Sequence, residues 1–152
     1  MTSKCLIDDG NEVKFGTYDL NSNSLFEVRG KGNFIELCEG VKGRLIIKIA
    51  GKGPTSLSIG ANVNIFGILQ IVVRRGGANI RIGSDCTFQG LVRMFIHEPS
   101  SILVGQDAMF SGDIFLTTSD MHPIFDNEGE RINVPLPISL GDHVWVGSGA
   151  RI

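Results

Sequence analysis

The sequence predicts an all-β fold of stacked, three-sided coils in which short strands pair in parallel. Glycine accounts for 20 of the 152 residues, about twice its ordinary share. Apolar residues recur at intervals of six, which is the length of one short strand plus one corner. No segment shows the i, i+3, i+4, i+7 apolar pattern of an amphipathic helix. Three six-residue units therefore complete one coil, and coils stack to bury their inward side chains.

Five apolar triplets carry the six-residue period. They are Ile35/Val41/Ile47, Ile59/Ile65/Ile71, Ile82/Phe88/Met94, Val104/Phe110/Leu116 and Leu140/Val146/Ile152. Each triplet predicts one inward side chain on each of the three sides. A glycine directly follows the first member of the last four triplets. We place it at a corner, where a Cβ would be costly.

The spacing between triplets predicts the rest of the architecture. Within a triplet, successive members are six residues apart. The last member of each early triplet lies farther than that from the first member of the next triplet. The third side should therefore be longer than the other two. Residues 1–32 are predicted to be an N-terminal cap or irregular β segment, and residues 33–152 to form the coils. Since the fifth triplet ends at Ile152, we expect the solenoid to be truncated there, with C-terminal coils missing.

Composition excludes several classes of function. The 14 basic residues are balanced by 16 acidic ones, which argues against an electrostatic nucleic-acid binder. No apolar run is long enough for a membrane span, and the first residues lack a secretory signal. The three cysteines are odd in number and form no CxxC pair, as expected for reduced thiols in a cytoplasmic protein.

One interval breaks the repeat. Leu116 ends one triplet and Leu140 begins the next, and the interval between them is much longer than at any other junction. The excess forms a predicted loop, residues 118–137, with three of the five prolines. Long loops inside a compact repeat are usually functional or disordered. Four apolar residues favour an ordered, functional loop, because we expect them to anchor it. They are Met121, Ile124, Phe125 and Ile132.

Two segments carry a resemblance to a known family. They are SDMHPIFD at 119–126 and ISLGDHVWVGSGARI at 138–152. With the hexapeptide repeats, they resemble the left-handed parallel β-helix acyltransferases, and more narrowly the bacterial polysaccharide O-acetyltransferases of capsules and sialic-acid polymers. The resemblance covers roughly residues 33–152. It implies a left-handed β-helix, acetyl-CoA as cosubstrate and a homotrimer with active sites between subunits.

The implied reaction is direct transfer of an acetyl group from acetyl-CoA to a sugar hydroxyl of a surface polysaccharide or its precursor. Similar enzymes carry further coils that complete the donor site, so we expect this chain to lack much of that site and its activity to be doubtful. An N-acetyltransferase acting on an amino sugar would share the whole motif set. A non-enzymatic scaffold would keep the repeats without needing SDMHPI.

His122 is the candidate catalytic base. An imidazole titrates near ambient pH and suits the removal of a proton from an acceptor hydroxyl. The family's catalytic histidine falls on this position. Asp120, two residues earlier, is a candidate to orient the imidazole. A local turn role for the same carboxylate is the alternative.

Trp145 is the only tryptophan. It precedes the inward Val146, so its side chain is predicted to point outward. In similar enzymes the matching tryptophan is implicated together with the histidine, as a wall of the acyl-donor channel; packing against a neighbouring subunit is the alternative. Gly147, Ser148 and Ala150 match the stretch that lines the pantetheine arm, although the same letters also satisfy the hexapeptide repeat.

The remaining candidates have weaker roles. His97 and His143 are predicted to be surface residues, because the three histidines lie far apart in sequence and give no ligand pair. No metal site is therefore expected. Arg131, at the end of the loop, is a candidate contact for an acidic acceptor or for a phosphate of coenzyme A.

Overall fold

The computed structural model describes residues 4–51 and 53–152, and it is an all-β parallel solenoid of about five turns. Residues 1–3 of the predicted N-terminal segment lie outside the described residues. No helix occurs in the described ranges, so they contain none that is long and apolar enough to cross a membrane. All of the pairings between their strands are parallel. The predicted fold class is confirmed.

Sixteen strands build the described part of the chain. They are β1 (Lys4–Ile7), β2 (Glu12–Phe15), β3 (Tyr18–Leu20), β4 (Leu25–Val28), β5 (Phe34–Leu37), β6 (Val41–Ile49), β7 (Ser56–Ile59), β8 (Asn64–Val73), β9 (Asn79–Ile82), β10 (Thr87–Phe88), β11 (Leu91–Ile96), β12 (Ser101–Val104), β13 (Met109–Phe110), β14 (Ile114–Thr117), β15 (Ile138–Leu140) and β16 (Trp145–Val146).

These strands form three faces around each coil. The first face is a sheet in the order β2-β5-β7-β9-β12-β15. The second face consists of β3, the first parts of β6 and β8, and then β10, β13 and β16. The third consists of β1, β4, the later parts of β6 and β8, and then β11 and β14. The strands before residue 32, β1–β4, belong to the same three faces as the strands that follow it.

One coil is longer than three equal six-residue sides would make it. The first-face strands β2, β5, β7, β9 and β12 begin at positions 12, 34, 56, 79 and 101, so each coil contains extra residues. These fall on the third face and the corner after it, as the sequence predicts. The difference in length is clear in one coil. The third-face strand β11 spans Leu91–Ile96 and pairs with β8 throughout, whereas the second-face strand β10 spans only Thr87–Phe88.

The apolar triplets form the core. Every member of the first four triplets is buried, and in the fifth Val146 is buried whereas Ile152 is 43% exposed. The first triplet is wrong in register on two sides: Leu37, not Ile35, lies opposite Ile59, and Gly43, not Val41, lies opposite Ile65. A shift of two residues keeps a strand side chain on the same face. Burial alone therefore cannot distinguish the two registers.

Glycine is required where the corners of successive coils touch. The corner between the second and third faces carries Gly67, Gly90 and Gly112, one above the other. A Cβ on Gly90 would lie 2.6 Å from the Cα of Gly112, which is backbone and cannot rotate away. Close stacking therefore requires glycine at this corner.

We predict that Gly90→Ala destabilises the solenoid by about 1–3 kcal/mol, because the added methyl group forces two coils apart. Gly141→Ala is the matched control, since among the described residues no atom beyond its two chain neighbours lies within 4 Å of the position its Cβ would take. That variant should change stability by less than about 0.5 kcal/mol. Thermal unfolding followed by circular dichroism measures both. Equal melting temperatures for the two variants would contradict the close stacking of the corner.

Candidate functional site

The loop of residues 118–137 leaves the solenoid at the corner between the third and first faces. It follows β14 and precedes β15, and its two ends are joined because the N–H of Leu136 donates to the carbonyl of Thr118 at 3.1 Å. Farther out, an antiparallel bridge joins Phe125 to Arg131. Asp126 accepts two backbone N–H bonds in the turn that closes this bridge. The loop is therefore a short hairpin with a closed base.

A nearly buried ion pair fixes the loop to the preceding coil. Glu98 lies in the corresponding corner between β11 and β12. Its carboxylate accepts two hydrogen bonds from Arg131, at 2.6 and 2.8 Å, and one from the hydroxyl of Ser119 at 2.5 Å. The Arg131 bonds, and then the Ser119 bond, lower the pKa of Glu98 from its ordinary 4.5 to about 2. Bidentate arginine–carboxylate pairs are strong and directional, so the base of the loop has a defined position.

The contacts of the loop differ from two predictions made from the sequence. The structure commits Arg131 to Glu98, whereas the sequence suggested an acidic acceptor or a phosphate. The prediction that apolar side chains anchor the loop is wrong. The four are between 46% and 63% exposed: Met121, Ile124, Phe125 and Ile132. Polar contacts to a residue one coil away hold the loop instead, and such contacts leave no periodic signal in a sequence.

Asn133 holds the backbone directly after His122. Its side-chain oxygen accepts the N–H of Ile124 at 2.6 Å, and its amide nitrogen donates to the carbonyl of His122 at 2.7 Å. The same nitrogen donates to the carboxylate of Asp120 at 3.1 Å. Sequence reasoning missed Asn133, since an asparagine in a polar loop has many ordinary explanations.

The imidazole of His122 is exposed on this fixed backbone. Within the described ranges it makes no hydrogen bond, so its ring is open to a ligand. Asp120 is also exposed, and the hydrogen bond that the structure gives its carboxylate comes from Asn133. The orienting contact predicted between Asp120 and the imidazole is not among the hydrogen bonds of the described residues.

Trp145 lies on the second face, in β16. It pairs with Met109 of β13, and the two side chains are 72% and 48% exposed. The indole N–H donates to the hydroxyl of Ser111 at 3.2 Å, which fixes the tilt of the ring. The exposure of the Trp145 side chain therefore agrees with the outward direction predicted from the sequence.

The three other donor-site candidates follow Trp145 at the corner between the second and third faces. Gly147 is exposed, and in the described part of the chain no atom beyond its two chain neighbours lies within 4 Å of the position a Cβ would take. The hydroxyl of Ser148 donates to the carbonyl of Gly112 at 3.0 Å. Ala150 is half-buried and packs against the core. A ligand could approach the backbone closely at Gly147, whereas the side chain of Ala150 packs against the core.

The topology separates the two leading candidates. The His122 loop joins the third face to the first, whereas Trp145 lies on the second. A three-sided coil has its second face opposite the corner that joins the other two. One copy of the chain therefore does not bring His122 and Trp145 together on a common face.

The other two histidines differ in their surroundings. His143 is exposed, and its Nδ1 lies 2.7 Å from a carboxylate oxygen of Asp107, a pairing that sequence analysis did not foresee. His97 is half-buried. Over residues 4–51 and 53–152, no group of three or more histidine, cysteine, aspartate or glutamate side chains is placed to hold a metal ion.

An open groove of about 1010 Å³ runs along the first face. Its lining includes the corner glycines Gly60, Gly83 and Gly105 and the charged side chains of Glu36 and Arg81. Neither His122 nor Trp145 lines this groove. It is therefore separate from the candidate site.

Comparison with known proteins supports a relationship to one group of enzymes. A polysialic acid O-acetyltransferase of Neisseria meningitidis is 28% identical over an alignment of 153 positions, and this alignment covers 93% of this chain and 65% of the relative. The chain resembles the polysialic acid O-acetyltransferases. A second enzyme of that name, from Escherichia coli O1:K1 / APEC, is 33% identical over 82 residues, or 53% of this chain and 26% of the relative. No family model matches the chain.

A solved structure supports the fold. The polysialic acid O-acetyltransferase OatWY superposes with a TM-score of 0.51 at 21% sequence identity, over 93% of this chain and 69% of that one. The chain spans 65% of the length of the Neisseria relative. The similarity therefore extends through almost all of this chain, and the relatives have additional residues.

We predict that Arg131→Met loosens the loop but not the coils, because it removes the cation that holds Glu98. Amide hydrogen exchange should accelerate in residues 118–137 and stay unchanged in β7 and β9. Arg81→Met, on the exposed first face, is the matched control and should leave loop exchange unchanged. Equal loop protection in the two variants would contradict the anchoring role of the ion pair.

The same pair gives the loop a pH dependence. Because the folded state lowers the pKa of Glu98 to about 2 from an ordinary 4.5, its stabilising contribution is complete above pH 4.5. It is lost as the pH falls towards 2. Exchange rates corrected for the intrinsic effect of pH should therefore rise in residues 118–137 over that interval. In Glu98→Gln the extra acid sensitivity of the loop should be absent.

Proposed function

We propose that the protein is an acetyl-CoA-dependent O-acetyltransferase that acts on a sugar hydroxyl of a bacterial surface polysaccharide or of its precursor. The observation that carries the proposal is an exposed histidine, His122, on a backbone that Asn133 and the Glu98–Arg131 pair hold in place. Similarity over 93% of the chain to a polysialic acid O-acetyltransferase supports it. The reaction would take place in the cytoplasm, where acetyl-CoA is available.

His122 would act as the general base. Its imidazole takes the proton of the acceptor hydroxyl as the oxygen attacks the carbonyl carbon of the thioester. The new C–O bond forms the acetyl ester, the C–S bond breaks, and the leaving thiolate recovers the proton to give coenzyme A. Asp120, held by Asn133 in the same loop, would stabilise the imidazolium that forms during the transfer.

The donor would lie against Trp145 and the corner that follows it. The exposed indole offers a flat apolar wall, and Gly147 leaves its backbone open to close approach. Ser148 and the backbone near Ala150 complete this edge. The acetyl thioester supplies the activated acyl group. The backbone N–H groups of Gly147 and Ser148 would stabilise charge on its oxygen, since those of Gly149 and Ala150 donate to the carbonyls of Gly112 and Gly147.

A homotrimer would bring the two halves of the site together. His122 lies in the loop between two coils and Trp145 lies on the second face, and exposed apolar side chains occur near both. Near the histidine they are the exposed apolar side chains of the loop, and near the indole it is the side chain of Met109. Contiguous exposed apolar surface commonly marks an interface. In a closed ring of three copies, the loop of one subunit would meet the second face of the next.

An N-acetyltransferase acting on an amino sugar is the second candidate. The loop favours it through its charge, because it carries four acidic side chains: Asp120, Asp126, Glu128 and Glu130. Its one basic residue other than His122, Arg131, is paired with Glu98. An ammonium group would be attracted to this loop. Treatment of the product with mild alkali separates the two reactions, since an O-acetyl ester is cleaved and an acetamide is not.

We predict that His122→Ala lowers kcat by roughly 10²–10⁴-fold, the usual contribution of a positioned base. The melting temperature should stay close to that of the wild type, because the side chain is exposed. His143→Ala is the matched control, since it also removes an exposed imidazole. Release of coenzyme A in the presence of an acceptor measures both. Unchanged turnover in His122→Ala would refute the proposed base, and absence of turnover in the wild type would favour a non-enzymatic scaffold.

Mixed oligomers test the shared site. His122→Ala and Trp145→Ala, each nearly inactive alone, should recover about one quarter of the wild-type activity when refolded together in equal amounts, because about one quarter of the interfaces in a random ring pair both intact residues. The measurement is specific activity against mixing ratio, with the oligomeric state checked by light scattering. Mixtures as inactive as the separate variants would contradict a site built from two subunits.

A further inference from the structure

Two exposed arginines lie in the corner of the solenoid two coils before the His122 loop. Arg74 and Arg75 directly follow β8, and both side chains are exposed. These two residues are called the basic corner below. We propose that the basic corner binds a carboxylate of an acidic acceptor chain and holds that chain along the solenoid axis, with another of its sugar residues at His122. The inference rests on the proposed transferase function, to which it adds the charge of the acceptor and the surface that recognises it.

Parallel stacking aligns the basic corner with the loop. The third-face strands β8, β11 and β14 pair in register, and a corner follows each of them. Arg74 and Arg75 lie in the corner after β8, Glu98 lies in the corner after β11, and the loop follows β14. Paired strands lie about 4.8 Å apart, so the backbone of the basic corner is about 10 Å from the base of the loop. An extended glycan of a few residues can cover this distance.

The loop itself extends back towards the basic corner. Arg131 of the loop contacts Glu98, one coil earlier, with 2.6 Å between its Nη1 and a carboxylate oxygen. Hydrogen bonds from Arg131 and Ser119 lower the pKa of Glu98, and the positive charge of Arg75 contributes to the same shift. The guanidinium of Arg75 therefore lies near the contact that anchors the loop.

The charge of the basic corner is available to a ligand. Among the described residues, neither Arg74 nor Arg75 forms an ion pair. Glu98, in the next corner of the stack, is already bound through both carboxylate oxygens by Arg131. A guanidinium presents N–H donors in a planar fork that matches a carboxylate, so an acidic chain would gain charge-assisted hydrogen bonds here.

Two side chains beside the basic corner suit a sugar ring. The N–H of Arg74 donates to the carbonyl of Ile96 at 3.0 Å, which places the half-buried His97 one coil after Arg74. The imidazole of His97 can donate a hydrogen bond to a hydroxyl group or to the bound carboxylate. Phe95 is half-buried on the third face, with its ring centroid 5.4 Å from that of Phe115. The C–H face of a sugar ring can cover its exposed part.

The acidic side chains of the loop restrict the path of such a chain. Glu128 and Glu130 lie in the outer turn, where Asp126 accepts a hydrogen bond from the backbone N–H of each. Like charges repel, so an acidic chain avoids this turn. Asp120 lies nearer the base of the loop, and its carboxylate accepts a hydrogen bond from Asn133. The charges of the loop and of the basic corner therefore favour an approach along the corner.

Removal of one charge tests the basic corner. Arg74→Gln should raise the KM for an oligosaccharide of sialic acid about tenfold, the loss expected for one charge-assisted hydrogen bond. The kcat and the KM for acetyl-CoA should stay unchanged. Arg81→Gln is the matched control, because it removes an exposed arginine from the first face. Equal acceptor KM values in the two variants would overturn the inference. A rise in the KM for acetyl-CoA instead would assign Arg74 to a phosphate of the donor and would also overturn it.

Binding without the donor separates this surface from the transferase function. Isothermal titration of the wild type should show at least tenfold tighter binding of the sialic acid oligosaccharide than of its neutral methyl ester. This preference should shrink in Arg74→Gln and at high salt, which screens exposed charges. Equal binding of the acid and the ester would overturn the inference even if acetyl transfer occurs. Binding that depends on Arg74 without any acetyl transfer would support the surface and contradict the proposed function.

Discussion

The structure depends on the direct stacking of each coil on the one before it. Parallel hydrogen bonding places every strand over the equivalent strand one coil earlier, and the corners must then stack as closely as the strands. Side chains fit inside the coil, where the buried triplets pack, but not between stacked corner backbones. Glycine at positions such as Gly90 follows from that distance and not from a need for flexibility. The same constraint leaves one place for a long insertion, which is outward from a corner.

Corner stacking also explains how an exposed loop can be ordered. An insertion at one corner lies over the same corner of the preceding coil, so Glu98 is brought beneath Arg131 and Ser119. The loop needs no core of its own, and its apolar side chains remain outside. Asn133 then fixes the peptide groups around His122. The rigid coil thereby positions a histidine that belongs to none of its strands.

The same geometry limits what one chain can do. Faces that meet at a corner are close, whereas the face opposite that corner is separated from it by the core. The loop and Trp145 fall on opposite sides in this sense. Exposed apolar surface is present at both places, which is the arrangement that a closed ring of copies would use.

The sequence by itself determined the class of fold, the length of the third side and the outward direction of Trp145, because inward positions in stacked coils must be apolar at a fixed period. It also located the loop, since an insertion interrupts that period. It could not fix the register of the first triplet, because a shift of two residues keeps the same side chains inward. Only the tertiary structure decided what holds the loop: Glu98 and Arg131 are distant in sequence and follow no period. Likewise, the pairing of Asn133 with His122 and the separation of His122 from Trp145 depend on how coils and corners stack in space.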